Sequence, residues 1–173
     1  MPTLDDMIEP GSRPWWIFLG ILVLGRSMDL LSTWVASPTL ALEANPVARR
    51  LGWRWGLAVN LALVLVFAGW PMLAISLSTT SFLVAARNFQ HAWLMRSMGE
   101  IGYRFWFADR VSEARKWMVV ACYLMEALLT GVVGGVLVWF SRWDLIPFSV
   151  GMGVVAYACA VGLFTGVALA RRS

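Results

Sequence analysis

Four long apolar runs divide the chain, and most polar positions fall between them. The runs cover about 15–36, 54–86, 117–140 and 145–170. A helix needs roughly 17–25 mostly apolar residues to cross a bilayer, so the first, third and fourth runs each predict one crossing. The second, at 33 residues, is too long for one simple crossing and short for two. Its middle reads Ala68-Gly69-Trp70-Pro71. Glycine suits the position after a helix end and proline suits the first turn of the next helix. The pattern therefore predicts a tight hairpin of helices at about 54–68 and 71–89, the first only about 22 Å long. The fold class expected is an all-α membrane protein, a bundle of five transmembrane helices in one domain over 1–173. The alternative is four, with a long second helix kinked at Pro71.

Charge separates these two topologies. Cytoplasmic loops carry an excess of Lys and Arg. With five crossings, three basic residues in 37–54, six in 87–116 and two at the C-terminus share one side, eleven in all, against Arg13 and Arg142 opposite. With four crossings the split is nine to four. Five helices are favoured, N-terminus outside and C-terminus cytoplasmic, in a bacterial inner membrane. The composition agrees, at 60% hydrophobic and 14% charged, against about half and a quarter in soluble domains. The net charge of +4 is a topology signal here and predicts no nucleic-acid partner. The acidic N-terminus lacks the basic region of a cleavable signal peptide. Cys122 and Cys159 lie inside apolar runs and are expected as small packing residues.

Nine of the eleven tryptophans, Trp15, Trp16, Trp34, Trp53, Trp55, Trp70, Trp117, Trp139 and Trp143, fall near predicted helix ends, where an amphipathic ring prefers the headgroup level. The other two, Trp93 and Trp106, lie in a basic, aromatic segment at about 90–116. That segment is expected either as an amphipathic cytoplasmic loop lying partly along the membrane surface, or as a helical extension plus a connector. Gly131 with Gly135, and Gly162 with Gly166, have the G-x-x-x-G spacing that lets helix backbones approach closely. They predict packing within the monomer, or a homo-oligomer.

Ionisable groups inside a membrane are costly and face a bundle interior. Arg26, Asp29 and Glu126 stand out. Arg26 and Asp29 share a helix face, and Arg26 is expected to form a buried ion pair with Asp29, with Glu126, or with both. After the first helix comes Glu43-Ala44-Asn45-Pro46. Asn45 and Pro46 are explained locally as an N-cap and the first residue of a short helix, which leaves Glu43 unassigned. Asn88 and His91 follow at i and i+3. In the five-helix topology Asp29, Glu43, Asn45, Asn88 and His91 lie toward the same side and form a candidate polar or ion site. Carboxylates, an imidazole and amides are plausible ligands for a divalent cation or for proton exchange. The spacing matches no standard metal or catalytic motif.

The segment Asp29-Leu-Leu-Ser-Thr33 followed by Glu43-Ala-Asn-Pro46 resembles a family of small prokaryotic integral membrane proteins of unknown function. The resemblance covers roughly 25–90. It implies weight for Asp29, Glu43, Asn45 and Pro46 as a site and no particular activity. Three functions follow in order of economy. The first is a structural or accessory subunit with membrane-protein partners and the lipid bilayer around it. The second is a small ion-binding or transport protein. The third is a membrane-embedded enzyme acting on a lipid-linked substrate, with His91 or Glu43 as base and Arg49, Arg50 and Arg87 holding a phosphate.

Overall fold

In the computed structural model, which describes residues 6–43 and 45–170 and only the backbone at Thr165 and 167–170, the chain forms five helices. These are α1 (Arg13–Ala36), α2 (Pro46–Phe67), α3 (Pro71–Glu113), α4 (Lys116–Phe140) and α5 (Leu145–Ala170). Arg171 and Arg172, counted in the charge balance, lie outside the described residues. Four stretches are long and apolar enough to cross a bilayer: α1, α2, α4 and Leu145–Phe164 of α5. That is compatible with a membrane protein.

Local chemistry sets the helix starts. The Ser12 side chain accepts the Trp15 amide at 3.4 Å, with Pro14 just inside α1. Asn45 caps α2 by accepting the amides of Val47 at 3.0 Å and Ala48 at 3.4 Å, and Pro46 opens the helix. Pro46 thus opens the short helix expected there, and the crossing expected from about Arg54 follows it within the same element. Its first six residues are separated from the rest by Gly52, at φ 65° and ψ −175°, a conformation cheap only for glycine.

A correction concerns 90–116. The helix that opens at Pro71 does not stop at 89 but continues to Met98, about 42 Å from its start. It breaks at Gly99 (φ 71°, ψ 159°) and resumes as helix over 100–113. The stretch Gln90–Met98 holds mostly residues that propagate a helix readily, so nothing before Gly99 ends it. Of the two sequence expectations, helical extension describes 90–98, while 100–113 is a separate helical piece set off by a glycine.

The chain reverses between α2 and α3, which removes the kinked-helix alternative. Arg26 of α1 bonds both Asn60, seven residues before the end of α2, and Ser81, ten after the start of α3. Val64, Ala68 and Ala74 likewise meet around the fully buried Leu22. The N-terminal segment marks this end of the bundle, the Ile8 amide donating to the Gly69 carbonyl at 2.8 Å.

The helices are layered around α3, which packs on α1 and on α5; α4 packs on α5, and α2 touches α1 and α3 only lightly. Small residues allow the close approaches, but not the expected ones. A Cβ at Gly25 would stand 3.0 Å from Ser78 Cα, one at Gly134 2.9 Å from the Gly151 carbonyl oxygen, and one at Gly153 2.5 Å from the Ser76 carbonyl oxygen. Of the two G-x-x-x-G pairs, Gly131 and Gly162 make ordinary contacts with Ala158 and Ala127, and Gly135 and Gly166 meet nothing within 4 Å. The expected spacing is present, but the helix phase turns Gly134 and Gly151 into the α4–α5 seam instead. Cys122 and Cys159, expected to pack inside, are exposed on the outer faces of α4 and α5.

Candidate functional site

The polar centre of the bundle is Arg26. Its Nη1 donates to Asp29 Oδ2 at 2.8 Å and to Ser81 Oγ at 2.9 Å, and its Nε donates to Asn60 Oδ1 at 2.6 Å. Nη2 also donates to Asn60 Oδ1. Asn60 is held in turn by donating to the Gly56 carbonyl at 2.8 Å. One guanidinium thus ties α1 to both α2 and α3. Arg26 and Asp29 retain side-chain exposures of only 19% and 17%, so their charges lie mostly out of solvent.

A second polar layer lies one to two turns further along α1. The Asn88 amide donates to Ser32 Oγ at 3.1 Å and to Thr33 Oγ1 at 3.3 Å, and the Ser32 hydroxyl donates to the Asp29 carbonyl at 2.8 Å. Beyond it the connecting loop is fastened. Trp53 Nε1 donates to the Pro38 carbonyl at 2.7 Å, and Arg96 stacks over the Trp34 ring at 5.7 Å. Glu100, the first residue after the Gly99 break, accepts the Thr39 amide at 2.9 Å and the Thr39 hydroxyl.

The five predicted site residues are thereby distributed unevenly. Asp29 is paired with Arg26, and Glu43 lies in the loop between α1 and α2. Asn88 stands beside Ser32 and Thr33 on the same α1 face. Asn45 is committed to capping α2, and Glu43 Oε1 accepts the Asn45 amide at 2.8 Å, which supplies the local role that the E-x-N-P pattern left open. His91 is exposed, with Nδ1 3.2 Å from the Arg87 carbonyl oxygen. Among the described residues no group of three or more His, Cys, Asp or Glu is arranged to hold a metal ion.

Glu126 belongs elsewhere too. Its carboxylate lies 3.2 Å from Arg87 Nη1, so it links α4 to α3 and does not join Arg26. Since α4 reaches α1 only across α3 and α5, the two features expected as one ion-pair network are two separate links. Arg87 is then occupied and is not free to hold a phosphate beside His91.

Sequence inspection missed three participants. Asn60 was hidden in the apolar run of α2, although an amide among leucines and valines is itself a signal of a buried partner. Ser81 is one of several hydroxyl residues in the first turns of α3, and nothing in its spacing singles it out. Glu100 was overlooked, yet an acidic residue directly after a helix-breaking glycine is placed to receive a neighbouring loop.

No protein-family model, curated protein or solved structure matches this chain. What the site does must therefore be argued from its own geometry.

Glu100 offers a direct check on the loop fastening. Burial by itself raises its carboxyl, but the Thr39 hydroxyl and amide, the Ser37 hydroxyl and the Arg96 charge together hold it below its ordinary value of 4.5. A depressed folded-state value means that the contribution is present above the unfolded value and is lost as pH falls through the folded one. Hydrogen exchange at the Thr39 amide, taken relative to its intrinsic rate at each pH, is therefore expected to stay slow at neutral pH and to quicken as pH falls through that lowered value. In Glu100→Gln it should be fast throughout. Slow exchange in that variant at neutral pH would show that the loop is held by other contacts.

Proposed function

We propose that this chain is a multi-pass protein of the bacterial inner membrane, N-terminus outside and C-terminus cytoplasmic, that serves as a structural or accessory subunit of a membrane assembly. In this proposal α3 is the fifth crossing. Its first turns are rich in Ser and Thr, but they face α1 and α5: the Ser76 hydroxyl donates to the Ser149 carbonyl and the Thr80 hydroxyl to the Gly153 carbonyl. A helix covered by protein on both sides need not be apolar all round. The tryptophans support the same placement. By position along the helices, Trp15, Trp16, Trp70, Trp139 and Trp143 gather at one end, and Trp34, Trp53, Trp55, Trp93, Trp106 and Trp117 toward the other.

The observation that carries the functional reading is where Arg26 directs its donors: four of its five N–H groups bond Asp29, Asn60 and Ser81. All its hydrogen bonds end on α1, α2 and α3 themselves, as expected for a charge that joins helices and not for one that awaits a substrate. One rival has a basis in residue type and placement: Asp29 on α1 and Glu43 in the loop that follows are two carboxylates toward one end of the bundle, and carboxylates brought together suit a cation or a shared proton. The experiment compares Asp29→Asn and Glu43→Gln with the parent protein by thermal unfolding in detergent, with and without added Mg2+ or Ca2+. Glue predicts a lower midpoint for Asp29→Asn that is indifferent to the ions. An ion-dependent gain in the parent that both variants abolish while still folding would transfer the proposal to ion binding.

A further inference from the structure

We infer that the end of the bundle carrying the α1–α2 loop and the helix over 100–113 binds the headgroups of anionic phospholipids. The first observation is an excess of unpaired positive charge. Arg49, Arg50, Arg54, Arg104, Arg115 and Lys116 are all exposed at this end, and among the described residues none of the six makes an ion pair. Of the four protein carboxylates nearby, three are engaged, Glu100 by Thr39, Glu113 by Arg110 at 2.8 Å and Glu43 by the Asn45 amide, while Asp109 makes no ion pair among the described residues, so one free acid stands against the six cations. Cations left over after the chain's own acids are used suit an external anion.

The second observation is the setting of these charges. Arg49 and Arg50 line a pocket of about 680 Å3, with Pro46, Val47 and Leu51 beside them among the described residues. Two guanidiniums over apolar walls match a phosphate that carries acyl chains better than a free, fully hydrated anion. On the piece 100–113, Ile101 and Phe105 are 72% and 67% exposed and fall on one helical face, with Arg104 beside them. An exposed apolar stripe flanked by arginine on a short helix at this level is the pattern of a helix lying in the headgroup region. The Gly52 and Gly99 breaks set both basic pieces apart from the long helices that they adjoin.

This rests on the membrane placement proposed above, which is tested separately by water-soluble thiol labelling of Gly69→Cys from outside cells, in a Cys122→Ser/Cys159→Ser background. The inference itself is tested on the full chain in nanodiscs of phosphatidylcholine alone or mixed with phosphatidylglycerol. Native mass spectrometry should find phosphatidylglycerol retained over phosphatidylcholine. Each arginine removed is expected to weaken that preference about fivefold, so Arg49→Gln/Arg50→Gln should abolish most of it while leaving the labelling of Gly69→Cys unchanged. Ile101→Ser/Phe105→Ser should reduce quenching of tryptophan fluorescence by brominated lipid. Equal retention of the two lipids would overturn the inference. So would an equal effect of inorganic phosphate, which would indicate a free-anion site, or cross-linking of a second copy or another protein through Arg104.

Discussion

Replacing Arg26 with methionine is expected to destabilise the bundle by about 3 kcal/mol, the lower end of the range for breaking a buried pair by removing one partner. The lower end applies because roughly a fifth of each side chain remains exposed. Methionine keeps much of the length and removes every donor. Asp29 then loses its counter-charge, and Asn60 Oδ1 and Ser81 Oγ lose their donor. Removing the acid as well, in Arg26→Met/Asp29→Leu, is expected to recover most of the loss, since a well-packed apolar pair often equals a buried ion pair in stability. The midpoint of unfolding in a denaturing-detergent titration reports both effects. A single variant within about 1 kcal/mol of the parent would mean that water reaches Arg26 freely and that the three helices are held by packing alone.

The second large effect is expected at Gly153. A methyl group there would meet the Ser76 carbonyl oxygen at 2.5 Å and Thr79 Cβ at 2.7 Å. The first obstacle is helical backbone, which cannot rotate aside like a side chain, so α5 has to move away from α3. Overpacking of this kind costs about 1–3 kcal/mol. The displacement also stretches the bonds from Ser76 to the Ser149 carbonyl and from Thr80 to the Gly153 carbonyl, both now about 2.8–2.9 Å, each worth about 0.6 kcal/mol in a membrane interior. Gly153→Ala is therefore expected to lower the unfolding midpoint clearly. Gly135→Ala and Gly166→Ala, which meet nothing within 4 Å, should stay within about 0.5 kcal/mol of the parent. Three indistinguishable variants would mean that α3 and α5 are not packed this closely.

These contrasts show what a linear pattern conveys and what it leaves out. The turn at Gly69–Pro71 and the start of α5 were legible because apolar run length and proline chemistry act locally. The capping of α2 by Asn45 and its opening at Pro46 were legible for the same reason. The reach of α3 beyond 89 was not, because 90–98 is polar enough to leave a membrane and still helical enough to continue. Which glycines form seams was illegible too. Gly131/Gly135 and Gly134/Gly151 differ only in the rotation of each helix, and that phase is fixed by partners distant in sequence. The Arg26–Asp29 pair was visible at i and i+3, whereas Asn60 and Ser81 lie 34 and 55 residues away. Glu126 went to Arg87 because the order of helices around α3 keeps α4 from α1.

The hydroxyls of α3 bear on how the chain is assembled during synthesis. Ser78 and Thr79 donate to the carbonyls four residues before, Ala74 and Ile75, and the single Thr80 hydroxyl proton is shared between the Ser76 carbonyl of its own helix and the Gly153 carbonyl of α5. If α3 enters the membrane before α5 has left the ribosome, these groups travel with their polarity already satisfied inside their own helix. The later segment then only adds its carbonyls to a surface that was never bare, and the least apolar of the five helices does not depend on α5 to cover those hydroxyls.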